Sequence, residues 1–489
     1  MPNKDQRARV RFAPALAVAV VAGALAIGAQ LGAQQQSQQP KTGEGFNFGG
    51  KKPPIAKNMK LVGWTDMNGR PDGEQVTGQV INGRDYIFYG HYWSQGVSIV
   101  DVTDPAKPQT VAFIPVQDPY GKFTKVQVSG TVLMVPIRSL YEIDGERPVL
   151  PRHGVLFFDV SDPRNPKQLS YFKTADRDEN LRDGVHFSWF ASKYAYLSAP
   201  ASGYRGHVYM IVDVSDPKNP KEAGRFWSKG QHVAGGETYV QDEVPTTHGA
   251  QANRDETLGF SATLGDPPGG LIILDIRDKA NPKPLSRLDM SPPMPATYFG
   301  VHNVVTMDSR KLLVCMNEGT GAPRSKAQQT GWVVDYSDPT KPIIQSILPI
   351  PPNHDMDRPA RFGPHNAHEN HPNGLIDDWM LYISWFSRGV RVFDLSDPRH
   401  PAETGFFEPP DPKARIDART WKGKPGDPNG SELSSLNHVY VDKRGYIYAS
   451  GYNDGLYILE YTGPRPQGSQ TALQEGRRER QRLGAAAQD

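Results

Sequence analysis

The sequence predicts an all-β fold: a seven-bladed β-propeller in which an N-terminal strand completes the last blade and closes the ring. Two observations predict it. An apolar phrase ending in an acidic residue occurs seven times, at intervals of 54 to 66 residues, as expected of a repeat that forms one unit even in a long chain. An outer strand also precedes the first copy, and none follows the last. Gly (48 residues) and Pro (44 residues) are abundant, as many short strands joined by tight turns require.

The repeated phrase predicts one strand and one turn in each blade. Four or five apolar residues, many of them β-branched, form a strand that is buried on both faces. An Asp-Pro turn follows in most copies, because Asp bonds the backbone ahead of it and Pro presets φ. The copies are VSIVDVTDP from Val97, VLFFDVSDP from Val155, YMIVDVSDP from Tyr209, LIILDIRDK from Leu271, GWVVDYSDP from Gly331, VRVFDLSDP from Val390 and a degenerate LYILEYTGP from Leu456. Their closing acidic residues are Asp101, Asp159, Asp213, Asp275, Asp335, Asp394 and Glu460.

The two ends of the repeat region predict how the ring closes. An outer strand follows each turn, as in Gln168–Phe172 and Glu222–Phe226, but the seventh copy lacks one. Met59–Trp64 has the form of an outer strand with no phrase before it. We therefore expect Met59–Trp64 to pair with the strand that contains Tyr457–Leu459, leaving only short, protected sheet edges.

The phrases VSIVDVTDP, YMIVDVSDP and LIILD resemble the LVIVD repeat family, which occurs in bacterial exported propellers. The resemblance extends over roughly Met59–Pro464, nearly all of the expected mature chain. It implies an architecture rather than an activity, because members of this family are mostly without an assigned reaction and one fold hosts many functions.

Residues 1–33 have the layout of a secretory signal peptide. Basic residues from Lys4 to Arg11 precede an apolar run, Ala13 to Leu31, and small residues lead to a cleavage point near Ala33. An uncleaved anchor is the alternative, because the run approaches spanning length, although Ala and Gly contribute little to insertion. In both cases the remainder is exported, so we expect a periplasmic or extracellular protein. After cleavage we expect no stable membrane insertion.

Composition divides the rest of the chain and excludes some partners. The sequence predicts a flexible linker at residues 34–56, the propeller at 57–464 and a polar C-terminal tail at 465–489. The net charge of +2 argues against a nucleic-acid partner. The single cysteine, Cys315, allows no intramolecular disulfide, and export without disulfides fits a periplasm. We expect a monomer.

Five consecutive blades begin their innermost strand with a histidine, namely His186, His248, His302, His365 and His438. Equivalent positions in a propeller form a ring about the axis, so these imidazoles should converge at one mouth of the channel. Blade one has Gln75 and Gln79 in this region, and blade two has Lys122 and Lys125. Converging imidazoles suit transition metals. The sequence therefore predicts a metal site for copper or iron, with zinc also fitting, and with Glu318 and Glu369 as partners of the ligands.

Two other interpretations of these histidines remain open. They are struts inherited through repeat duplication, or they line a wet, anion-attracting channel without metal. Histidine rings on propeller axes also occur in the carotenoid-cleavage oxygenases, which hold iron. They occur as well in the selenium-binding and methanethiol oxidase group, whose metal is thought to be copper. This chain is similar to those groups only in where its histidines lie.

Two classes of function follow. One is a metal-dependent oxidoreductase acting on a small molecule at the propeller mouth, and the other is a non-catalytic scaffold that binds a protein or glycan there. The sequence contains no Gly-x-Ser-x-Gly elbow, phosphate-binding loop or His-Glu-x-x-His motif, so it does not decide whether the protein is an enzyme. Of the remaining histidines, we expect His91 to reach the channel and His371 to lie on the surface. We expect His153, His207 and His400 to be exposed in turns.

Overall fold

A computed structural model describes residues 54–117, 121–139, 150–178, 184–241, 243–264, 269–290, 300–318, 329–352, 361–412 and 434–486. The expected signal peptide, residues 1–33, lies outside the described residues, as does most of the expected linker. Among the described residues, no helix combines the length and apolar character needed to span a bilayer.

Seven four-stranded antiparallel sheets form the blades of a β-propeller, which confirms the predicted fold. The chain starts with β1 (Ile55–Lys57) and β2 (Met59–Thr65), and blade one follows with β3 (Val76–Ile81), β4 (Arg84–Gly90), β5 (Gly96–Asp101) and β6 (Gln109–Pro115). Blade two holds β8 (Gln127–Ser129), β9 (Val132–Pro136), β11 (His153–Asp159) and β12 (Lys167–Ala175), beside the small pair β7 (Gly121–Lys122) and β10 (Arg138–Ser139). Blade three holds β13 (Trp189–Phe190), β14 (Tyr194–Pro200), β15 (His207–Asp213) and β16 (Lys221–Phe226).

The remaining blades follow the same order from the axis outwards. Blade four holds β17 (Thr246–Ala252), β18 (Leu258–Leu264), β19 (Gly270–Asp275) and β20 (Lys283–Asp289), and blade five holds β21 (Asn303–Met307), β22 (Leu312–Met316), β23 (Gly331–Asp335) and β24 (Ile343–Ile347). Blade six holds β25 (Met380–Ser384), β26 (Val390–Asp394) and β27 (Ala402–Glu408), and blade seven holds β28 (Leu436–Val441), β29 (Tyr446–Gly451) and β30 (Leu456–Tyr461). Short 3-10 turns lie at Val233–Gly235 and Asp308–Arg310, and helix α1 (Gln467–Ala485) ends the described chain.

The repeated phrase forms the third strand of each blade and the turn after it. In the first six copies, the closing Asp accepts a hydrogen bond from the backbone N–H two residues ahead, at 2.8–3.1 Å. This local bond holds the turn, and because it needs only residues that are adjacent in the chain, the sequence reveals it.

The ring closes as predicted. Strand β2 pairs with β30, with Met59 opposite Tyr461 and Trp64 opposite Tyr457, so the N-terminal strand is the outer strand of blade seven. Just before it, β1 pairs with β27 and adds an outer strand to blade six. Asn58 joins β1 to β2 with a φ of 53°, a left-handed conformation that Asn tolerates better than most residues.

Blade six has no regular innermost strand among the described residues; only an isolated bridge between Ala367 and Ile383 marks its place. The chain that follows, residues 368–378, enters the central channel, and we call it the axial segment. It bonds residues of all six other blades, namely Gln75, Gln127, Val128, Phe190, Arg254, Thr306 and Val441. Such a set of partners is possible only on the propeller axis.

Cys315 lies on β22 and is fully buried in the apolar core between blades four and five. Burial raises the pKa of its thiol. The residue therefore acts as a small apolar side chain in the core, as expected from the run Leu312–Met316.

Candidate metal centre

A shared backbone register places four of the predicted histidines at equivalent points of their blades. The N–H groups of His186, His302 and His365 donate to a carbonyl at or near the end of the neighbouring strand, on Ser198, Met316 and Ser384, at 2.7–3.0 Å. His248 lies in a β-bulge at the same level of blade four. In blade one, the N–H of Glu74 makes the equivalent bond to Gly90. The blade-one member of the ring is therefore Glu74, rather than Gln75 or Gln79.

The four imidazoles form an arc of neighbours. Ring centroids lie 4.1 Å apart between His186 and His248, 4.3 Å between His248 and His302, and 4.5 Å between His302 and His365. All four blades are consecutive, so one rotation about the axis relates each imidazole to the next. Consecutive blades thus bring four of the five predicted residues together.

His438 lies apart from this arc because of a register shift in blade seven. A bulge between Leu436 and His438 places Asn437, not His438, at the level of the ring. The carbonyl of Asn437 accepts a bond from His365 Nδ1, just as the carbonyl of His302 accepts one from His248 Nδ1. His438 instead faces the axial segment, with its Nε2 3.9 Å from Glu369 Oε1.

Two of these hydrogen bonds set the tautomer of the imidazoles. His248 Nδ1 donates to the carbonyl of His302 at 2.7 Å, and His365 Nδ1 donates to that of Asn437 at 2.7 Å. A carbonyl only accepts, so each Nδ1 carries the proton and each Nε2 keeps its lone pair. This is the arrangement in which a backbone carbonyl orients a metal-binding histidine. The Nδ1 atoms of His186 and His302 are buried and have no hydrogen-bond partner among the described residues.

Glu318 supplies a carboxylate at the Nε2 side of the arc. Its Oε2 lies 3.3 Å from His302 Nε2, and its Oε1 lies 3.5 Å from His365 Nε2. Arg361 donates to the same carboxylate, and its guanidinium stacks 4.0 Å from the Phe386 ring. Glu318 was predicted to be a partner of the ligands, but its carboxylate lies close enough to the imidazoles to be a ligand itself.

Three residues meet the geometric requirement for a metal site. His248, His302 and Glu318 each offer one ligand atom, and these atoms lie within 4.8 Å of one another. All three residues are buried. Two imidazoles and a carboxylate are a frequent protein ligand set for iron(II) and also for catalytic zinc. His186 and His365 flank the group on either side.

The surroundings keep the imidazoles neutral. Burial, the largest cause, lowers the pKa of His186, His248, His302 and His365 well below the ordinary value, and neighbouring positive charges lower it further. Among those charges is the ammonium group of Lys125. A neutral imidazole keeps the lone pair that a metal ligand needs, and no proton has to leave before the metal binds.

Lys125, on blade two, carries one of the charges closest to the arc. Its ammonium group is buried, forms an ion pair with Glu74, and lies 5.2 Å from the Phe187 ring. Arg138 lies 3.6 Å from the other oxygen of Glu74. These two cations hold the pKa of Glu74 well below its ordinary range, although burial opposes them. The channel mouth therefore holds paired charges beside neutral imidazoles.

Several of the remaining histidines have structural roles. His91 is buried, and its two nitrogens bond Asp72 and Ser98 within blade one at 2.6 and 2.8 Å, so it does not point into the arc. His371 was expected on the surface, but it is buried in the axial segment and bonds the Phe190 carbonyl at 2.8 Å. His153 was expected to be exposed, but it is buried where β11 begins. His400 is exposed, as expected.

A family model described as the LVIVD repeat matches residues 203–227, which contain β15 and β16 of blade three. The propeller therefore contains an LVIVD repeat. The matched phrase is the copy that starts at Tyr209, so the match coincides with the phrase that recurs in the other blades. No curated protein matches its sequence.

Several solved structures are similar to this propeller. The periplasmic gluconolactonase of Pseudomonas aeruginosa is 10% identical, with 81% of this chain and 92% of that chain covered and a TM-score of 0.49. The β-propeller domain of Cps50 (Swd1) from Myceliophteria thermophila is 9% identical, with 80% and 98% covered and a TM-score of 0.49. A protein from Lactobacillus plantarum is 13% identical, with 78% and 98% covered and a TM-score of 0.48.

Proposed function

We propose that this protein is an exported LVIVD-repeat propeller that binds a transition metal ion at its channel mouth through His248, His302 and Glu318. The observation that carries the proposal is the convergence of two neutral imidazoles and a carboxylate, all buried, with ligand atoms within 4.8 Å of one another. His186 and His365, the outer members of the arc, are the candidates for a further ligand.

The donor set favours iron and also fits zinc. A carboxylate beside two imidazoles is typical of non-haem iron(II) oxygenases, and catalytic zinc uses the same combination. His248 lies within β17, His302 directly precedes β21 and Glu318 lies two residues after β22, so the strands of blades four and five position the ligands. Copper would instead favour a set dominated by imidazoles.

Such an ion would supply redox or Lewis-acid chemistry to a small molecule that enters from the mouth. The chain's own residues orient the ligands. The carbonyl of His302 fixes the His248 imidazole, and Arg361 holds the Glu318 carboxylate by donating to its Oε1. We therefore propose a metal-dependent oxidoreductase, with a small-molecule substrate.

Metal analysis of the purified protein tests the proposal. The full chain is produced with its own leader, purified from the periplasm without added metal, and assayed by inductively coupled plasma mass spectrometry. We expect a stoichiometric transition metal in the wild type and its loss in the double variant His248→Ala/His302→Ala. His400→Ala, which changes an exposed histidine, is the matched control and should retain the metal. A wild type free of transition metal, before and after loading, would reject the proposal.

One observation favours a second candidate, a metal-free site for an anionic ligand. Lys125, Arg138 and Arg361 are all buried close to the histidine arc, and their charges meet those of Glu74 and Glu318. A carboxylate-bearing ligand would pair with these cations in place of the two glutamates. Isothermal titration with acetate and oxalate, on protein shown to be free of metal, separates this candidate from the first.

A further inference from the structure

The axial segment is a polar chain inside the propeller that is held mostly by hydrogen bonds. Asn370 donates to the Thr306 carbonyl at 2.9 Å, His371 bonds the Phe190 carbonyl at 2.8 Å, and Asn373 donates to the Val128 carbonyl. These carbonyls belong to the innermost strands of blades five, three and two, near the ends that lie away from the histidine arc. The segment therefore occupies the channel at the end opposite the candidate metal centre.

Helix α1 contacts the axial segment directly. The Ser469 hydroxyl donates to Asp377 Oδ2 at 2.6 Å, and Arg465, just before the helix, lies 3.4 Å from the same oxygen. Leu473 packs against the core cluster that contains Leu375 of the segment. Asp377 is fully buried, and Arg465 is its ion-pair partner among the described residues.

Helix α1 is also attached to the two blades that meet where the ring closes. Arg480 donates to both carboxylate oxygens of Asp85 at 2.7–3.0 Å and to the Gly83 carbonyl at 2.8 Å, all in blade one. Glu479 pairs with Lys443 of blade seven at 3.0 Å. Lys443 in turn donates to the Pro372 carbonyl of the axial segment at 2.6 Å. The helix thus links blade seven and blade one, beside the axial segment.

We propose that helix α1 is a clasp that keeps the axial segment inside the channel, and that its release opens the channel at the end away from the histidines. The reason is the burial of Asp377. Without Arg465 and Ser469, its carboxylate would be left buried without its cation, and removing one partner of a buried ion pair is strongly unfavourable. The segment has few apolar side chains to hold it in place, so it can move out of the channel, where water solvates the Asp377 carboxylate. This device does not depend on whether the channel mouth binds a metal.

A double variant in the full-length chain tests the clasp. Arg465→Met/Ser469→Ala removes the two side chains of α1 and its preceding residues that donate to Asp377. The sequence of the axial segment itself stays unchanged. We expect hydrogen exchange at the Leu375 and Asp377 amides, both hydrogen-bonded in the wild type, to rise by about 100-fold. Amides of blade four should be unaffected. Gln474→Ala, at an exposed position of the same helix, is the matched control.

Chemical labelling gives a second readout of the open channel. Diethyl pyrocarbonate should modify His368 and His371 in the double variant but not in the wild type, where both are buried. His153, buried in blade two, should stay unmodified and reports that the propeller is still folded. If the double variant unfolds as a whole, Gly476→Val replaces it, because a Cβ there would lie 2.9 Å from the Lys443 carbonyl and 3.1 Å from Leu375 and would lift the helix. Rapid exchange in α1 with an unchanged, unlabelled axial segment would overturn the proposal.

Discussion

The imidazoles of His248 and His302 lie 4.3 Å apart, centroid to centroid, and His248 Nδ1 donates to the backbone carbonyl of His302 itself. His302 therefore orients the His248 imidazole through its backbone carbonyl, and its own imidazole offers a second ligand nitrogen for the metal. Because the two residues come from adjacent blades, the metal affinity of the site depends on how those two blades are oriented relative to each other.

His302→Ala should weaken metal binding by at least about 100-fold, since losing even an outer-shell partner of a ligand commonly costs 10–100-fold. The variant removes one ligand nitrogen, while the carbonyl that orients His248 remains. Competition with a chelator of known affinity measures the change. His400→Ala serves as control, and equal affinities in the two variants would contradict the ligand assignment.

His438→Ala should retain the metal, in contrast to His302→Ala. The bulge at Asn437 turns His438 toward Glu369 and away from the arc, so its loss removes no ligand. The same chelator competition distinguishes the two variants. Metal loss in the His438 variant, with the fold intact by circular dichroism, would show that the ring includes blade seven after all.

His302 and His438 show what the sequence reveals about the site and what it does not. Repeat alignment finds histidines at the start of five blades, but a single bulged residue shifts the register by one and cannot be read from spacing alone. Glu74 was missed for a related reason, because it occupies the ring position of blade one without being a histidine. Glu318 was noted from its place after β22, but its distance from His302 depends on how β21 and β22 pair within blade five.

The fold was more predictable than the site because its signals are local. Each closing Asp bonds the backbone two residues ahead, and the unmatched strand Met59–Trp64 can pair with one partner only. The axial segment lacked such a signal. Its run of Asn and His resembles an exposed loop or a ligand cluster, and only contacts with six distant blades show that it is buried.

Gly63→Ala should destabilise the closed ring by about 1–3 kcal/mol, the usual cost of forcing atoms into a packed site. A Cβ at Gly63 of β2 would lie 2.1 Å from the carbonyl oxygen of Pro105 in blade one. The backbone must therefore move where blades seven and one meet. Thermal unfolding measures the effect. Lys60→Ala, at an exposed position of the same strand, is the control, and equal melting temperatures would contradict this packing.

Stability of the metal-free protein should fall as the pH drops below about 6.5, the ordinary pKa of histidine. Burial lowers the pKa of the four arc histidines in the folded state, and it lowers that of His368 to about 4. Between the two values only the unfolded chain takes up the proton. Each affected histidine then contributes a loss of up to about 1.4 kcal/mol per pH unit.

Urea unfolding between pH 7.5 and 5 in the presence of a chelator measures this dependence. The double variant His248→Gln/His302→Gln should show a shallower decline, because two of the titrating groups are gone. Parallel curves for the wild type and the variant would show that these histidines already take up protons in the folded protein.

An anomalous difference map from a crystal of the metal-loaded protein tests the central claim most directly. Data collected on both sides of the absorption edge of the bound metal locate the ion without reference to its ligands. We predict one peak at the channel mouth, about 2.0–2.2 Å from the Nε2 atoms of His248 and His302 and from a carboxylate oxygen of Glu318. A peak elsewhere, or no peak in crystals of protein that carries stoichiometric metal, would contradict the account.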